Sequence, residues 1–398
     1  MTDNTRTSAA QAPEDFSLVL GGPLYQMYVR GHLLKPPADQ VERRVVAAIV
    51  LTWLPLFFLT LASGTALSGP GVPFLLDVDV HVRFLLALPL MIGAELLIHQ
   101  RLRTAVGQFT ARGIVTPEDR ARFDEILAST MRLRNSAAIE IVLLVGSITL
   151  GYWIWREAMS LHVGTWYLAV DGTGEHLTLA GWWYAFVSLN IFRFVLFRWY
   201  FRTIIWYIFL WRVSRLPLRL NALHPDRAGG LGFLGTSVFA FTPLLLAHTT
   251  VLSGVIAGQI WHQGAKLPEF QLQIAGVVAL LMVMALLPLV FFMAHLARTK
   301  REGAREYGLL AMRYADEFRD KWLGGRGPEG EPLVGSGDIQ SLADLAGAHD
   351  VLREMGIIPV GRRTLVTFAI AIALPFFPLL LTMIPFEQLL QQVIGKLI

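Results

Sequence analysis

Asn190, Arg193, Arg198 and Arg202 stand inside one apolar run that continues through TIIWYIFLW to Trp211. Ionisable side chains in such surroundings are costly, so where they occur they pair, meet water or bind an ion. At 100° per residue Arg198 and Arg202 share a helix face while Arg193 lies on nearly the opposite one. That is not the every-third-residue ladder of a voltage sensor. Glu95 and Glu140 fall in other apolar runs at the depth of Arg198 and Arg202 and are expected as buried ion-pair partners, with a permeation role for the two arginines as the other reading. No acidic residue falls at the level of Arg193, which predicts a cation that faces water or binds an anion.

The stretch LNALHPDRAGGLGFLG, residues 220–235, places a polar turn between two long apolar segments. Pro225 bars helix continuation, and Gly229, Gly230 and Gly232 permit unusual backbone angles. Asp226 is expected to cap the amides that open the following helix, with His224 and Arg227 at the headgroup level. A tight turn is the plain reading. The sharper one makes the glycine amides and Arg227 a nest for an anion or phospholipid headgroup, or a gate hinge.

Metal and catalytic patterns are weaker. Glu95 and His99 stand four apart on one helix face, a usable ligand spacing, yet two ligands do not make a site. In DVDVHVR an extended strand would put Asp77, Asp79 and His81 on one side, where a hard cation could be held weakly, although a solvated loop is the favoured reading. His224, His248 and His295 are scattered. The chain has no G-x-S-x-G elbow, Walker loop, H-E-x-x-H or paired-carboxylate signature, and none of its 398 residues is cysteine. An enzyme is therefore not expected, nor any metal or cofactor.

The elements that hold these residues follow from composition. With 54% hydrophobic and 16% charged residues, the expected solvent is a bilayer. Apolar stretches near the ~20 residues needed to cross it lie at about residues 45–64, 84–100, 137–155, 182–202, 233–260, 273–297 and 364–385. Lys and Arg concentrate in residues 1–44, 101–136, 212–227 and 298–363, which puts the N-terminus inside and the C-terminus outside. These basic residues border apolar runs instead of forming an aromatic-interleaved patch, which excludes a nucleic-acid partner. The predicted fold is thus an all-α polytopic bundle of about seven spans with intracellular amphipathic helices.

Thr116-Pro117-Glu118-Asp119 reads as a capped helix start, with the helix running into the third span and carrying Phe123, Ile126, Leu127 and Met131 on one face. Tyr307, Leu310, Ala311, Tyr314, Phe318 and Trp322 mark an amphipathic extension of the sixth span, and IQSLADLAGAHDVLREM a further helix, the three packing as one intracellular layer. FSLVLGGPLYQMYVRGHLL reads as an interfacial segment before the Pro36-Pro37 break, Asp171-Gly172 as the turn of a short hairpin outside, and residues 364–398 as the last span with an amphipathic tail.

The segments HPDRAGGLGFLG, GDIQSLADL and LLLTMIPFEQLL resemble a family of bacterial multi-pass inner-membrane proteins without an established activity. The resemblance covers most of the chain from the first span onward and implies the bacterial inner membrane, while carrying over no catalytic residue. The functional expectation is an ion channel or transporter for a small inorganic anion, homo-oligomeric and in contact with membrane lipids. Prolines in five spans (Pro55, Pro89, Pro243, Pro288, Pro375 and Pro378) are compatible with kinked helices around a polar path. The alternative is a non-conducting sensor or scaffold that recruits a partner through its intracellular helices; an enzyme on lipid-linked substrates lacks a visible catalytic constellation.

Overall fold

Long apolar runs satisfy their backbone inside lipid only as helices or closed barrels, and this chain forms helices. The computed structural model describes residues 16–23, 25–26, 40–69, 71–158, 165–171, 174–324, 331–332 and 334–383. Among the described residues, six helices are long and apolar enough to cross a membrane. They are α1 (Val41–Ala62), α2 (Val78–Ala111), α5 (Leu179–Val213), α6 (Gly232–Gln263), α7 (Leu267–Leu323) and α9 (Arg362–Met383). A bent pair, α3 (Pro117–Arg134) and α4 (Ala137–Ala158), passes the same test jointly, with a 43° angle at the break. One helix, α8 (Gly337–Glu354), lies apart from the apolar set. A hairpin of β1 (Leu168–Asp171) and β2 (Gly174–Leu177) pairs Asp171 with Gly174 across its turn.

Helix α2 is the axis of the bundle. Leu88, Met91, Ala94, Ile98, Leu102 and Phe109 are all fully buried, packed by α1, α5 and α6. Two prolines show how kinks are accommodated without orphaned backbone. A helical proline frees the carbonyl four residues earlier. For Pro55 that carbonyl is Leu51, which accepts from Trp183 Nε1 of α5 at 3.0 Å. For Pro288 it is Met284, which accepts from the Tyr207 hydroxyl, also of α5. Helix α5 therefore ties two kinked neighbours to itself through side-chain donors.

Several expectations are corrected. Helix α3 does not run straight into the third span: the helix breaks at Asn135-Ser136. Its first turn is a 3₁₀ turn, where the Thr116 hydroxyl bonds Asp119 Oδ2 at 3.3 Å instead of capping a backbone amide. The expected three-helix layer is divided, because α3 buries Phe123 and Leu127 against α5 while α7 pairs with α8. DVDVHVR is helical instead of extended, with Asp77 as its N-cap. Asp77 accepts from Trp166 Nε1, Asp79 pairs with Arg83, and His81 Nδ1 accepts from Trp53 Nε1, so these groups are satisfied by protein. Finally, residues 16–19 are buried in the core rather than interfacial. The Pro36-Pro37 break, residues 172–173, most of the glycine- and proline-rich stretch after α7, and the C-terminal tail lie outside the described residues.

Helix α7 has 57 residues, about 85 Å at 1.5 Å per residue, far beyond a hydrocarbon core of roughly 30 Å. Its distal half packs along α8 as a helical hairpin. Asp338 closes the tip, accepting from Lys321 Nζ at 2.8 Å and Trp322 Nε1 at 2.9 Å.

Candidate functional site

Two polar constellations stand out among the described residues. The first is a buried charge cluster built from six segments. Helix α2 supplies Glu95, whose Oε1 accepts from Arg202 Nη1 of α5 at 2.7 Å and whose Oε2 pairs with Arg44 of α1. One turn back on α5, Arg198 faces Glu140 of α4 at 3.6 Å. The shared helix face of Arg198 and Arg202 makes both pairs geometrically possible. Arg134 of α3 donates to the Ser17 carbonyl, and Ser17 Oγ lies 2.9 Å from His99 Nδ1. Glu95 and His99 therefore have separate partners, and among the described residues no group of three or more His, Asp and Glu could hold a metal.

Packing fixes the arginine geometry. Trp199 Nε1 donates to the Met91 carbonyl of α2 at 2.9 Å, while the Arg202 guanidinium stands 4.9 Å from the Trp199 ring centroid. Arg44, Glu95, Arg198 and Arg202 are each at most 7% exposed. Buried pairs of this kind offset their desolvation only when geometry and extra hydrogen bonds are good, and losing one partner strands a charge.

Arg193 is not part of the cluster. Its Nη1 lies 3.4 Å from Asn190 Oδ1 on its own helix, and Asn190 donates to the Phe186 carbonyl at 2.9 Å. Both side chains rest on Gly151 of α4, where a methyl group would collide with them. The expectation of a cation without a protein partner gives way to a weak polar contact.

The second constellation is the turn 220–231. Asp226 Oδ1 accepts from the amides of Ala228 at 2.8 Å and Gly230 at 3.1 Å, and Oδ2 from Gly232 at 2.8 Å. Burial alone would raise this carboxyl, but the three amides, with His224 beside them, hold it below the ordinary carboxylate range. The nest read from the glycines is thus filled by the protein's own carboxylate, which corrects the headgroup-nest reading. Positive φ occurs at Gly229 and Gly230, and also at Arg227 with φ 53°, whereas Gly232 is helical and needs its missing Cβ to admit Asp226.

The turn also clamps the end of α8. The Arg227 carbonyl accepts from Gly356 N at 2.8 Å, its guanidinium pairs with Glu354, and Gly229 lies against Leu296 of α7 and the buried Met355. Lys300 of α7 donates to the carbonyls of Arg353 and Met355. Arg112 reaches across to the Gly230 carbonyl at 3.1 Å. Open cavities of about 760 and 1120 Å³ flank the clamp and share Arg112 and His224 in their walls.

Sequence reasoning missed Arg44, Arg134 and residues 16–22 as parts of the cluster. Arg43 and Arg44 both read as flanking charges, and only helix rotation decides that Arg44 is buried. SLVLGG, an apolar run too short to span and ending in two glycines, is the available sign of a buried non-helical segment. No protein-family model, curated protein or solved structure matches the chain.

Proposed function

We propose that the chain is a channel or transporter for a small inorganic anion in the bacterial inner membrane, homo-oligomeric, with the N-terminus inside and the α7–α8 hairpin as a cytoplasmic regulatory arm. The reading rests on one observation: within the bundle, the described guanidinium groups of Arg44, Arg134, Arg198 and Arg202 outnumber the carboxylates of Glu95 and Glu140. A surplus of positive charge at that depth favours anions over cations. The orientation rests on the lysine and arginine bias of the loops. The clamp at 220–231 supports the regulatory arm, because it links the hairpin base to the ends of the spanning helices.

The test is anion flux in liposomes reconstituted with the full chain. Chloride is expected to pass and gluconate to be excluded. Arg198→Gln is expected to reduce flux strongly, and Arg193→Ala to leave most of it, since Arg193 stands outside the cluster. Liposomes impermeable to anions across pH and voltage would remove the reading. A scaffold is the second reading, favoured by Leu309, Leu310 and Met312, which the hairpin leaves 54%, 49% and 66% exposed.

A further inference from the structure

We propose that the cavity of about 1120 Å³ beside the 220–231 turn binds a phosphodiester that carries a hydroxyl donor, the chemistry of a phosphoglycerol headgroup; this goes beyond the transport reading and does not depend on it. Three of its walls are ends of helices that pass the membrane test: Gln108 and Arg112 from the end of α2, Phe233 and Thr236 from the start of α6, and Arg362 and Thr364 from the start of α9. Helix α9 turns apolar directly after Arg362 and Arg363, which sets that wall at the boundary between hydrocarbon and headgroups. The fourth wall is Gly356 and residues 358–361, from the linker between α8 and α9.

The charges of the walls favour an anion. Arg112, Arg227 and Arg362 stand there with Asp226 and Glu354, and both acids are already engaged, Asp226 by three backbone amides and Glu354 by Arg227. Arg362 enters no ion pair among the described residues. Arg112 donates through Nη1 to the Gly230 carbonyl and rests its guanidinium 5.3 Å from the Phe233 ring centroid, so among the described residues its Nε and Nη2 stay available to a ligand. Guanidinium groups bind phosphate through paired N–H donors. The first turn of α9 adds to them, because Gly361 at its N-cap has no side chain to bond the leading amides. The phosphate would lie beside the Asp226 nest, not in it.

A second observation asks the ligand for a donor. Gln108 Oε1 is buried and has no hydrogen-bond partner, which is costly for a polar atom. Gln108 stands in the wall of this cavity and of a neighbouring one of about 270 Å³ that continues between α2 and α6. The arginines only donate and the Gln108 oxygen only accepts, so a ligand that satisfies both presents acceptor oxygens and a donor together. The excess of guanidinium groups disfavours an ammonium donor and leaves a hydroxyl. A phosphoglycerol group has both parts, and the space admits it with water around it. Because the α8–α9 linker forms one wall, an occupant also braces the base of the hairpin.

The experiment is thermal unfolding of the purified full chain in detergent micelles, with dioleoyl phosphatidylglycerol, dioleoyl phosphatidylcholine or soluble glycerol phosphate added. The midpoint is expected to rise saturably with phosphatidylglycerol and not with phosphatidylcholine, whose headgroup has no net charge and no donor. Arg362→Gln is expected to weaken the apparent affinity about tenfold or more, and Arg363→Gln, next to it but outside the cavity wall, to leave it unchanged. Gln108→Leu is expected to weaken it severalfold by removing the hydroxyl's acceptor. Because the chain lacks cysteine, Thr236→Cys, exposed in the wall, reports occupancy: maleimide labelling is expected to slow in phosphatidylglycerol alone. Equal effects of the two lipids would overturn the site, and so would equal losses in Arg362→Gln and Arg363→Gln, which would show only diffuse attraction of a basic helix end to an anionic surface. Stabilisation by glycerol phosphate that Arg362→Gln removes keeps the phosphate site and assigns it a soluble ligand. Anion flux, measured separately, bears on the transport reading alone.

Discussion

The charge cluster and the 220–231 turn both bury ionised groups, and they do it in opposite ways. In the cluster, Glu95 is satisfied by arginines 51 and 107 residues away in sequence, each on a different helix. In the turn, Asp226 is satisfied by amides two to six residues ahead of it. A long-range pair stabilises only when the whole bundle is assembled, and it fixes helix rotation and depth. A local nest forms with its own loop and needs only the loop's glycines. The cluster therefore specifies how the helices pack, and the turn specifies where the hairpin docks.

The largest expected effect comes from breaking the long-range pairs. Glu95→Gln leaves Arg44 and Arg202 buried without their shared carboxylate, at a cost of about 3–5 kcal/mol. The measurement is unfolding in detergent against denaturant. A Glu95→Gln/Arg202→Gln double variant is expected to lose less than the sum of the singles, because the two changes remove the same contact. Fully additive losses would show that Glu95 and Arg202 are not coupled, and the contrast with the turn would fail.

An intermediate effect is expected at the turn. Asp226→Ala removes an acceptor from three amides and costs about 1–3 kcal/mol. Its signature should be regional: faster hydrogen exchange at residues 352–360, which the turn clamps, with α2 protection unchanged. Equal loosening of α2 and the hairpin base would show that the turn serves the bundle as a whole.

The same contrast explains what the sequence makes legible. Apolar run length places all six helices that pass the membrane test alone, since burial in lipid is a property of local composition. Asp226 as a helix cap is legible because its partners follow it in the chain. Arg44 is not, because two adjacent arginines at a helix start differ only in which way the helix is turned, and that is decided by Glu95 on another helix. DVDVHVR reads as a strand because its apolar residues alternate; the helix wins there through capping by Asp77 and through Trp166, which comes 89 residues later. Arg193 reads as isolated when only acids are sought for it, whereas Asn190 sits three residues earlier on the same helix.

The smallest effect is a pH dependence that separates the turn from the cluster. Burial pushes the Asp226 carboxyl up, but three amides and His224 together outweigh it and hold the group below the ordinary carboxyl value. The unfolded chain therefore takes up a proton at a higher pH than the folded turn does. A carboxyl with a depressed folded value stabilises fully above the unfolded value near 4, and that contribution drains as pH falls through the lower folded value. Asp226→Asn carries no such charge. The midpoint difference between wild type and Asp226→Asn is therefore expected to be flat from about pH 5 to 8 and to shrink below about pH 4. Asp226 is partly solvent-screened, so the change is expected to stay within about 1 kcal/mol. A difference that closes already near pH 6 would show that the folded turn does not hold the Asp226 carboxyl below its ordinary value. One that persists undiminished to pH 3 would mean that the backbone amides hold the protonated, uncharged carboxyl as well as they hold the carboxylate, so that the charge of Asp226 contributes nothing to the turn.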